Sequence, residues 1–385
     1  MSKCSPPVFY YHSVAPAKND SWVLNGLTFS LQKFEDQLQY LAKNGFRSIF
    51  LDEYSDIREG KKSSKGNEIC LTFDDGYLDN WVYVWPLAKK YGIRFTLFAS
   101  PECLDPRSIV RPNLADVWAG TCTMNELDDR GYLTWDELRA MQESGIVDVQ
   151  SHTMSHTKYI TSDEVTGFYY GGPRGVYPIW NQNPGLKPVY MADPGFENRL
   201  PWGYPLFKEQ SAVIAHKLTI NPEIFLELSA LGAGYDLSEA AQRPVYEADA
   251  LQVLKSHRAN NTLITERELQ TDYLQRLHYE VVKSKEVLEQ RLEKPIHFLC
   301  WPHGDNTQEA HELARSSGYR ATTSGKLTGE SGKVDRIPRL GGDFDNAPWL
   351  SRQKFHFKIN SHYQRQPYRA VREIYDLKNR ILHRV

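Results

Sequence analysis

The chain has 385 residues, of which 41% are hydrophobic and 24% are charged, proportions typical of a globular protein with one large domain or two ordinary ones. Its formal net charge of −2 argues against a nucleic-acid partner. The chain has no run of about 18 or more apolar residues, so no transmembrane segment is predicted. Its start lacks the apolar core of a signal peptide, so we expect a cytoplasmic location. The cysteines show no CxxC spacing, which predicts neither a disulfide framework nor a cysteine zinc site.

Segments typical of strands and of helices alternate over the first third of the chain. The predicted strands are PVFYYH, EICLTF, IRFTLFAS and IVDVQSH, and RSIFLDEY predicts a strand followed by a turn. The predicted helices are SLQKFEDQLQYLAKNGF, NWVYVWPLAKKYG and LTWDELRAMQESG. The last of these begins with Thr134 and Glu137 in the T-x-x-E spacing of a capping box. Such alternation predicts an α/β fold with a parallel sheet or barrel.

The middle of the chain has a different composition. Glycines and aromatic residues separate its prolines, which are Pro173, Pro178, Pro184, Pro188, Pro194, Pro201, Pro205 and Pro222. This part predicts neither regular helices nor central strands, so we interpret residues 163–262 as a long insertion whose last third is helical. Between Thr265 and Pro295 the sequence predicts one long helix, and IHFLCWPHGDN then predicts a strand that ends in a turn.

The last part of the chain, from Arg352, is basic. Its Lys and Arg residues are Arg352, Lys354, Lys358, Arg365, Arg369, Arg372, Lys378, Arg380 and Arg384, against the acids Glu373 and Asp376. We interpret residues 346–385 as a basic C-terminal extension. A solvated helix explains this composition, and contact with an anionic ligand or another subunit is the alternative.

Two pairs of residues suggest chemistry. Asp74 and Asp75 adjoin in CLTFDDGYLDN, directly after a predicted strand, and His152 and His156 follow another strand in SHTMSH. Alone, the histidine pair is weak support for a metal site, and two acids before a helix can act as caps. Together, two histidines and one carboxylate supply three ligands and leave positions open, as in catalytic metal sites. The second aspartate then has a separate task.

These motifs resemble those of the polysaccharide deacetylases, the NodB-homology or carbohydrate esterase family 4 proteins. TFDDG and SHTMSH resemble the first two family motifs, and FLCWPHGDNTQEAHELARSSGYRATTS resembles the third motif with its helix. YYHSV and FEDQLQYLAKNGF resemble the poly-N-acetylglucosamine deacetylase type. The resemblance covers about residues 8–160 and 265–342. It implies a distorted (β/α) barrel in residues 1–345, interrupted by the Pro/Gly/aromatic-rich insertion.

The resemblance also implies roles for individual residues. Asp75, His152 and His156 would hold a divalent metal, with zinc expected first and cobalt, nickel or iron as alternatives. Asp74 would be the base that takes a proton from the attacking water. An acid must protonate the departing amine, and His12 in YYHSV and His303 in WPHG both remain candidates.

Three further residues are expected near the substrate: Trp301, Pro302 and Arg339. The arginine that many family members carry before the third-motif proline is missing from LCWPHG. Arg339 in IPRLGG is the candidate that could supply the missing charge to Asp74.

The resemblance implies removal of an N-acetyl group from an acetamido sugar or glycan. Two alternatives remain open at this point: hydrolysis of a non-sugar amide or cyclic amide, and a weakly active glycan-binding relative. Aromatic residues of the insertion could form a sugar-stacking wall, with packing of a long loop as the alternative. They are Tyr169, Tyr170, Tyr177, Trp180, Tyr190, Trp202, Tyr204 and Phe207.

Overall fold

The structure, a computed structural model, describes residues 5–16, 25–190, 193, 195–326, 332–342 and 347–374. In chain order the strands are β1 (Val8–Tyr11), β2 (Ser13–Ala15), β3 (Thr28–Ser30), β4 (Arg47–Ser48), β5 (Glu68–Phe73), β6 (Phe95–Ala99), β7 (Val147–Ser151), β8 (Lys158–Phe168), β9 (Pro205–Ser211), β10 (Leu218–Ile220), β11 (Ile264–Arg267), β12 (Phe298–Leu299), β13 (Ala321–Thr323), β14 (Arg336–Ile337) and β15 (Leu340–Gly341).

Helices alternate with these strands. In chain order they are α1 (Leu31–Lys43), α2 (Leu51–Arg58), α3 (Trp85–Tyr91), α4 (Leu114–Ala119), α5 (Trp135–Glu143), α6 (Val176–Gln182), α7 (Lys187–Tyr190), α8 (Pro222–Gly232), α9 (Arg243–Ala259), α10 (Gln270–His278), α11 (Ser284–Leu292), α12 (Gln308–Ser316) and α13 (Pro348–His362). Two π-helical segments, Asn80–Val84 and Tyr279–Lys283, lead into α3 and α11.

The main sheet has the strand order β14-β13-β12-β7-β6-β5-β1-β15, with β4 beside β5. Its strand pairs are all parallel. Only Pro338 and Arg339 separate β14 from β15, which form opposite edges of this sheet. Three Cα–Cα steps span at most about 11 Å, so the sheet must curl until its edges meet. This topology confirms the predicted distorted (β/α) barrel.

Several local predictions can be compared with the elements. The capping box of α5 is confirmed. The Thr134 side chain accepts a hydrogen bond from the Glu137 N–H, and the Glu137 carboxylate accepts one from the Thr134 N–H. The strand and turn predicted for RSIFLDEY are wrong beyond β4, because α2 begins at Leu51. Helix spacing there buries Leu51, Tyr54 and Ile57 in one apolar cluster.

The long helix predicted between Thr265 and Pro295 also needs correction. Its first residues form β11, which pairs antiparallel with β10. The remainder is helical from Gln270, but the π-helical segment Tyr279–Lys283 interrupts the α-helical hydrogen bonding. Segments of this kind occur frequently at functional sites.

Residues 158–267, from β8 to β11, lie outside the main sheet and are called the added region below. β8 and β9 form an antiparallel pair of 11 and 7 residues. The prediction of no central strands in this proline-rich part stands, because β8 and β9 form a separate two-stranded sheet. The prediction of no regular helices there is wrong at the short helix α6. The prolines of this part are tolerated at element ends: Pro205 is the first residue of β9, and Pro222 lies in the first turn of α8.

The added region has an apolar core of its own, built by residues from β8–β11, α8 and α9 around Tyr246 and Ile224. A second apolar cluster joins this region to the barrel. There Trp180 and Ile179 of α6 pack with Tyr77 and Tyr132 from loops that follow barrel strands. The cluster therefore fixes α6 over one end of the barrel.

The basic extension begins with a helix that packs on the barrel. Phe355 and Ile359 of α13 are fully buried, and the Phe355 ring lies 4.7 Å from that of Phe9 in β1. Lys358 donates a hydrogen bond to the carbonyl of Gly341. The tail residues Lys378, Arg380 and Arg384 lie outside the described residues. Among the helices of the described residues, none combines the length and apolar character needed to cross a membrane.

Candidate active site

The predicted site residues lie at the carboxyl ends of the barrel strands. Asp74 and Asp75 follow β5, His152 follows β7, His12 follows β1 and Arg339 follows β14. Because the strands are parallel, their carboxyl ends meet at one edge of the barrel. Backbone pairing of the strands thus brings together residues that are far apart in sequence.

Asp75, His152 and His156 converge on one point. The Nε2 atoms of His152 and His156 both lie 3.1 Å from Asp75 Oδ1. One possible ligand atom from each of the three residues lies within 4.8 Å of the others. Asp75 is only 4% exposed. Three convergent donors of this kind match the ligand set of a divalent metal with open positions.

The surroundings of Asp75 show that a cation suits this point. Its Oδ1 atom is buried, and no described residue gives it a well-aligned hydrogen bond. Burial raises the pKa of Asp75, but the neighbouring His156 and His152 outweigh burial and hold this pKa well below its usual range. A buried, ionised oxygen is unfavourable without a compensating positive charge, so a cation bound beside Asp75 Oδ1 and the two imidazole nitrogens would stabilise it.

The backbone around the site is strained. Four non-glycine residues there have left-handed φ angles: Asp75 at 74°, Thr153 at 64°, His156 at 49° and His303 at 57°. Each such residue costs of order 1–3 kcal/mol and persists only where the surrounding structure fixes it. The clustering of these angles indicates that the loops are held for the sake of the side chains they present.

His152, the first histidine of SHTMSH, is oriented by a hydrogen bond at its Nδ1 atom. His152 Nδ1 lies 2.8 Å from the carbonyl oxygen of Cys300. A hydrogen bond donated from Nδ1 to that carbonyl leaves Nε2 as the nitrogen that faces Asp75.

Glu280 and Lys187 hold the loop between His152 and His156 in place through hydrogen bonds. The carboxylate of Glu280 accepts hydrogen bonds from the N–H groups of Met154 and Ser155, at 3.2 and 3.0 Å, and from the Ser155 hydroxyl. Lys187 donates to the Ser155 carbonyl at 3.1 Å and to Glu102. Sequence reasoning missed both residues. Glu280, for example, lies 126 residues beyond Met154 and inside a predicted helix, so no local pattern connects it with the histidine loop.

Asp74 has a different set of partners from Asp75. Arg339 Nη1 lies 2.7 Å from Asp74 Oδ1, and Arg339 Nη2 lies 2.9 Å from Asp74 Oδ2. Burial raises the pKa of Asp74, but the paired guanidinium outweighs burial and this pKa lies below its usual value. Arg339, which the sequence proposed as a partner for Asp74, thus pairs with it from the break between β14 and β15.

The two candidate acids occupy different surroundings. His12 Nε2 lies 3.8 Å from Asp74 Oδ2, and the His12 carbonyl accepts a hydrogen bond from Asn80. His303 instead faces the added region: its Nε2 lies 3.2 Å from the Tyr177 hydroxyl, and its ring centroid lies 4.8 Å from that of His156. Burial, followed by the charge of His156, lowers the pKa of His303 to about 2.

These residues line a cleft of about 1020 Å³. Trp301 lines it while only 1% exposed, and no described residue accepts a hydrogen bond from its Nε1. Pro302 is buried and does not line the cleft, because it forms the start of the turn that presents His303. Any role of Pro302 in substrate binding would act through this turn.

The aromatic residues of the predicted sugar-stacking wall do not all lie at the cleft. Tyr177 and Trp180 of α6 line the cleft, although Trp180 is almost fully buried. Tyr169 and Phe207 are also buried, in the two apolar clusters of the added region, so packing explains them. Trp202 is partly exposed but does not line the cleft. The side chain of Tyr190 lies outside the described residues.

Comparison with known proteins agrees with this site. A model of the family described as polysaccharide deacetylase matches residues 61–168, a segment that contains Asp74, Asp75, His152 and His156. YxkH of Bacillus subtilis (strain 168), named for the same family, is 25% identical over 150 residues, which are 39% of this chain and 43% of that protein. The poly-beta-1,6-N-acetyl-D-glucosamine N-deacetylase of Escherichia coli (strain K12) is 24% identical over 144 residues, 37% of this chain and 20% of that protein. The chain thus spans less than half the length of these curated relatives.

A solved structure shows the same fold. A de-N-acetylase from Aggregatibacter actinomycetemcomitans superposes with a TM-score of 0.53 at 18% identity, covering 91% of this chain and 98% of that chain. These comparisons agree on one class of protein for part of the chain: residues 61–168 are similar to a polysaccharide deacetylase domain, and the solved structure shares the fold.

Proposed function

We propose that the protein is a metal-dependent N-deacetylase that hydrolyses the acetamido group of a sugar or glycan. One observation carries this proposal. Asp74 and Asp75 are neighbours in sequence, yet Asp75 faces two imidazole nitrogens while Asp74 is held by a guanidinium. This division separates a metal ligand from a base within one cleft.

Asp75, His152 and His156 would hold the divalent ion, with zinc as the first expectation. When bound, such an ion supplies Lewis-acid chemistry, polarising an amide carbonyl and lowering the pKa of water. The Glu280 and Lys187 contacts keep the loop between the two histidines in place, so the three ligands are organised before the ion arrives.

Asp74 would act as the general base. It takes a proton from the water that attacks the acetyl carbon, and its bidentate contact with Arg339 keeps the carboxylate ionised and aimed. The C–N bond then breaks, and the departing amine needs a proton. Acetate and the free amino sugar are the products.

His12 is the better placed donor of that proton. Its Nε2 atom lies 3.8 Å from Asp74 Oδ2, so it lies within reach of the same reacting group. His303 is turned towards Tyr177, which favours a part in shaping the cleft wall. Trp301 would offer its indole N–H to the substrate.

The substrate class is proposed from the cleft and the relatives together. The cleft has room for more than one sugar ring, and aromatic residues line it beside the reacting groups. One relative is named for poly-beta-1,6-N-acetyl-D-glucosamine. We therefore favour an N-acetylated glycan over a cyclic amide.

Acetate release tests this function. Protein stripped with a chelator should lose activity on a panel of N-acetyl sugars, nucleotide sugars, oligosaccharides and cyclic amides, and should regain it with Zn²⁺ or Co²⁺. Asp74→Asn should reduce kcat by about 10²–10⁴-fold while metal stays bound, whereas Asp75→Asn should lose the metal. Full activity of the metal-free protein, or cleavage of cyclic amides alone, would refute the proposal.

A further inference from the structure

One lysine in the cleft has no anionic partner among the described residues. Lys158 is the first residue of β8, two residues after His156, and its side chain lines the cleft. No described carboxylate lies within the 4.0 Å of a salt bridge from its Nζ atom. The ammonium instead lies over the Tyr177 ring, 4.9 Å from the centroid.

Its position is beside the reacting groups but not among them. The Tyr177 hydroxyl is 3.2 Å from His303 Nε2, and the His303 ring packs against His156. Tyr177 and His303 thus stand between Lys158 and the proposed metal ligands. A substrate whose acetamido group lies at Asp74 would bring a neighbouring sugar or substituent, and not the acetamido group itself, to Lys158.

The charges around Lys158 do not neutralise it. The charged groups that act on it electrostatically are Glu209, Asp305 and Lys326. Asp305 already accepts a hydrogen bond from Lys326 at 2.7 Å and does not line the cleft. Glu209 lines a separate pocket of about 510 Å³, next to Tyr204 and Phe207, and not the cleft. Two lysines, Lys158 and Lys326, therefore line the cleft at this point, and neither of these two carboxylates does.

We propose that Lys158 forms an anion subsite, with Lys326 at its rim. It would select an acetamido substrate that carries a carboxylate or phosphate group next to the sugar that is deacetylated. A partly buried ammonium with no described carboxylate within 4.0 Å gains a charge-assisted hydrogen bond when such a group binds. A free amino sugar at the same place would be repelled. This inference rests on the proposed deacetylase function, whose substrate class it narrows.

Binding of matched probes tests the subsite. We would use zinc-loaded Asp74→Asn protein, so that the probes are not consumed, and calorimetry. The probes are N-acetylglucosamine 1-phosphate, a disaccharide of N-acetylglucosamine and glucuronate, and the neutral disaccharide with glucose. At least one anionic probe should bind about tenfold more tightly than the neutral one. Which anion gains identifies a phosphate ester, a uronic acid or both.

The lysine variants decide where the preference comes from. Lys158→Met should bring the ratio of the dissociation constants of the neutral and anionic probes to about one. Lys158→Arg should keep most of the preference for the anionic probe. Lys208→Met is the matched control, because Lys208 lies on the paired strand β9 and binds Glu164 at the surface; it should keep the full preference. In protein with Lys158 unchanged, the preference should shrink between about 0.05 and 0.5 M salt.

Equal affinity for the anionic and neutral probes would overturn the inference, as would no binding of either anionic probe. A preference that survives Lys158→Met would also overturn it, since the metal would then be its source. Failure of the proposed function has a different signature: metal-loaded wild-type protein would release no acetate from any N-acetyl substrate.

Discussion

The barrel and the added region build opposite walls of one cleft by different means. In the barrel, Asp74, His152 and His12 each follow a strand, so backbone hydrogen bonds between parallel strands set their places. In the added region, Tyr177 reaches the cleft because α6 packs on barrel loops through side chains. Residues placed by backbone pairing can be read from a motif, whereas residues placed by packing cannot. We expect the barrel residues to control the reaction itself and the added region to control what is bound.

The largest effect is expected at Arg339, on the barrel side. Arg339→Met leaves the buried Asp74 carboxylate without its partner, and breaking a buried pair costs about 3–5 kcal/mol. We expect kcat to fall by about 100-fold or more in an acetate-release assay, with metal content unchanged.

Arg339→Lys keeps the charge but not the two-pronged contact, so its kcat should be intermediate. Arg320→Met is the control, because Arg320 pairs with Asp56 and Glu59 away from the cleft and its loss should leave kcat unaltered. A wild-type kcat for Arg339→Met would show that Asp74 needs no tether.

The next effect concerns stability of the barrel and its pH dependence. Asp79, behind the motif, accepts a hydrogen bond from Ser13, and burial raises the pKa of Asp79 to about 8. The folded state then keeps a proton that the unfolded chain releases near pH 4. The free energy of unfolding should therefore fall as pH rises from about 5 to 8, by up to about 1.4 kcal/mol per pH unit from this group.

Asp79→Asn removes that titration, so urea unfolding at several pH values should show a flatter dependence for this variant. Asp163→Asn, at an exposed position on β8, should keep the wild-type slope. Equal slopes for wild type and Asp79→Asn would mean that Asp79 is ionised in the folded barrel.

A smaller effect is expected where a barrel helix holds the histidine loop. Glu280→Gln removes the charge that accepts three hydrogen bonds from Met154 and Ser155. Loss of a supporting contact of this kind weakens metal binding by about 10–100-fold. We expect an effect near the lower limit, because glutamine still offers one acceptor.

Competition with a chromogenic chelator would measure the zinc affinity of Glu280→Gln. Saturating zinc should restore most of kcat, which separates a positioning role from a general loss of folding. Glu286→Gln, further along in α11, should bind zinc like the wild type, since Glu286 is exposed and pairs with Lys283 at the surface. Unchanged zinc affinity in Glu280→Gln would rule out the positioning role.

The smallest effect is expected in the added region. Tyr177→Phe removes the hydroxyl that contacts His303 but keeps the ring beneath Lys158. A single hydrogen bond contributes about 0.5–1.5 kcal/mol, so kcat/KM should fall by only a few-fold, mainly through KM. Tyr235→Phe offers a control in the same region, because its hydroxyl contacts Asp249 away from the cleft. A loss in kcat as large as that of Arg339→Met would contradict the division between the two walls.

Local sequence patterns predicted much of the fold correctly. Strand and helix periodicity predicted β1, β5, β6 and β7 together with α1, α3 and α5, and the capping box located the start of α5. Errors arose where a segment gained stability from distant partners. α2 was mistaken for a turn because its apolar face is satisfied by a cluster that includes Ile337 and Phe298, and the strand β11 depends on β10.

By itself, the sequence supplied a candidate donor set: adjacent aspartates after one strand, paired histidines after another, and Arg339 as a candidate tether. These residues could be grouped from short segments because a parallel sheet turns strand ends into spatial neighbours. The family resemblance already paired Asp75 with the histidines, whereas only the tertiary structure decided which histidine lies near Asp74 and which residues support the histidine loop. It also left Lys158 without an anionic partner among the described residues. Those outcomes depend on side chains that pack against residues distant in sequence, and no local pattern encodes such contacts.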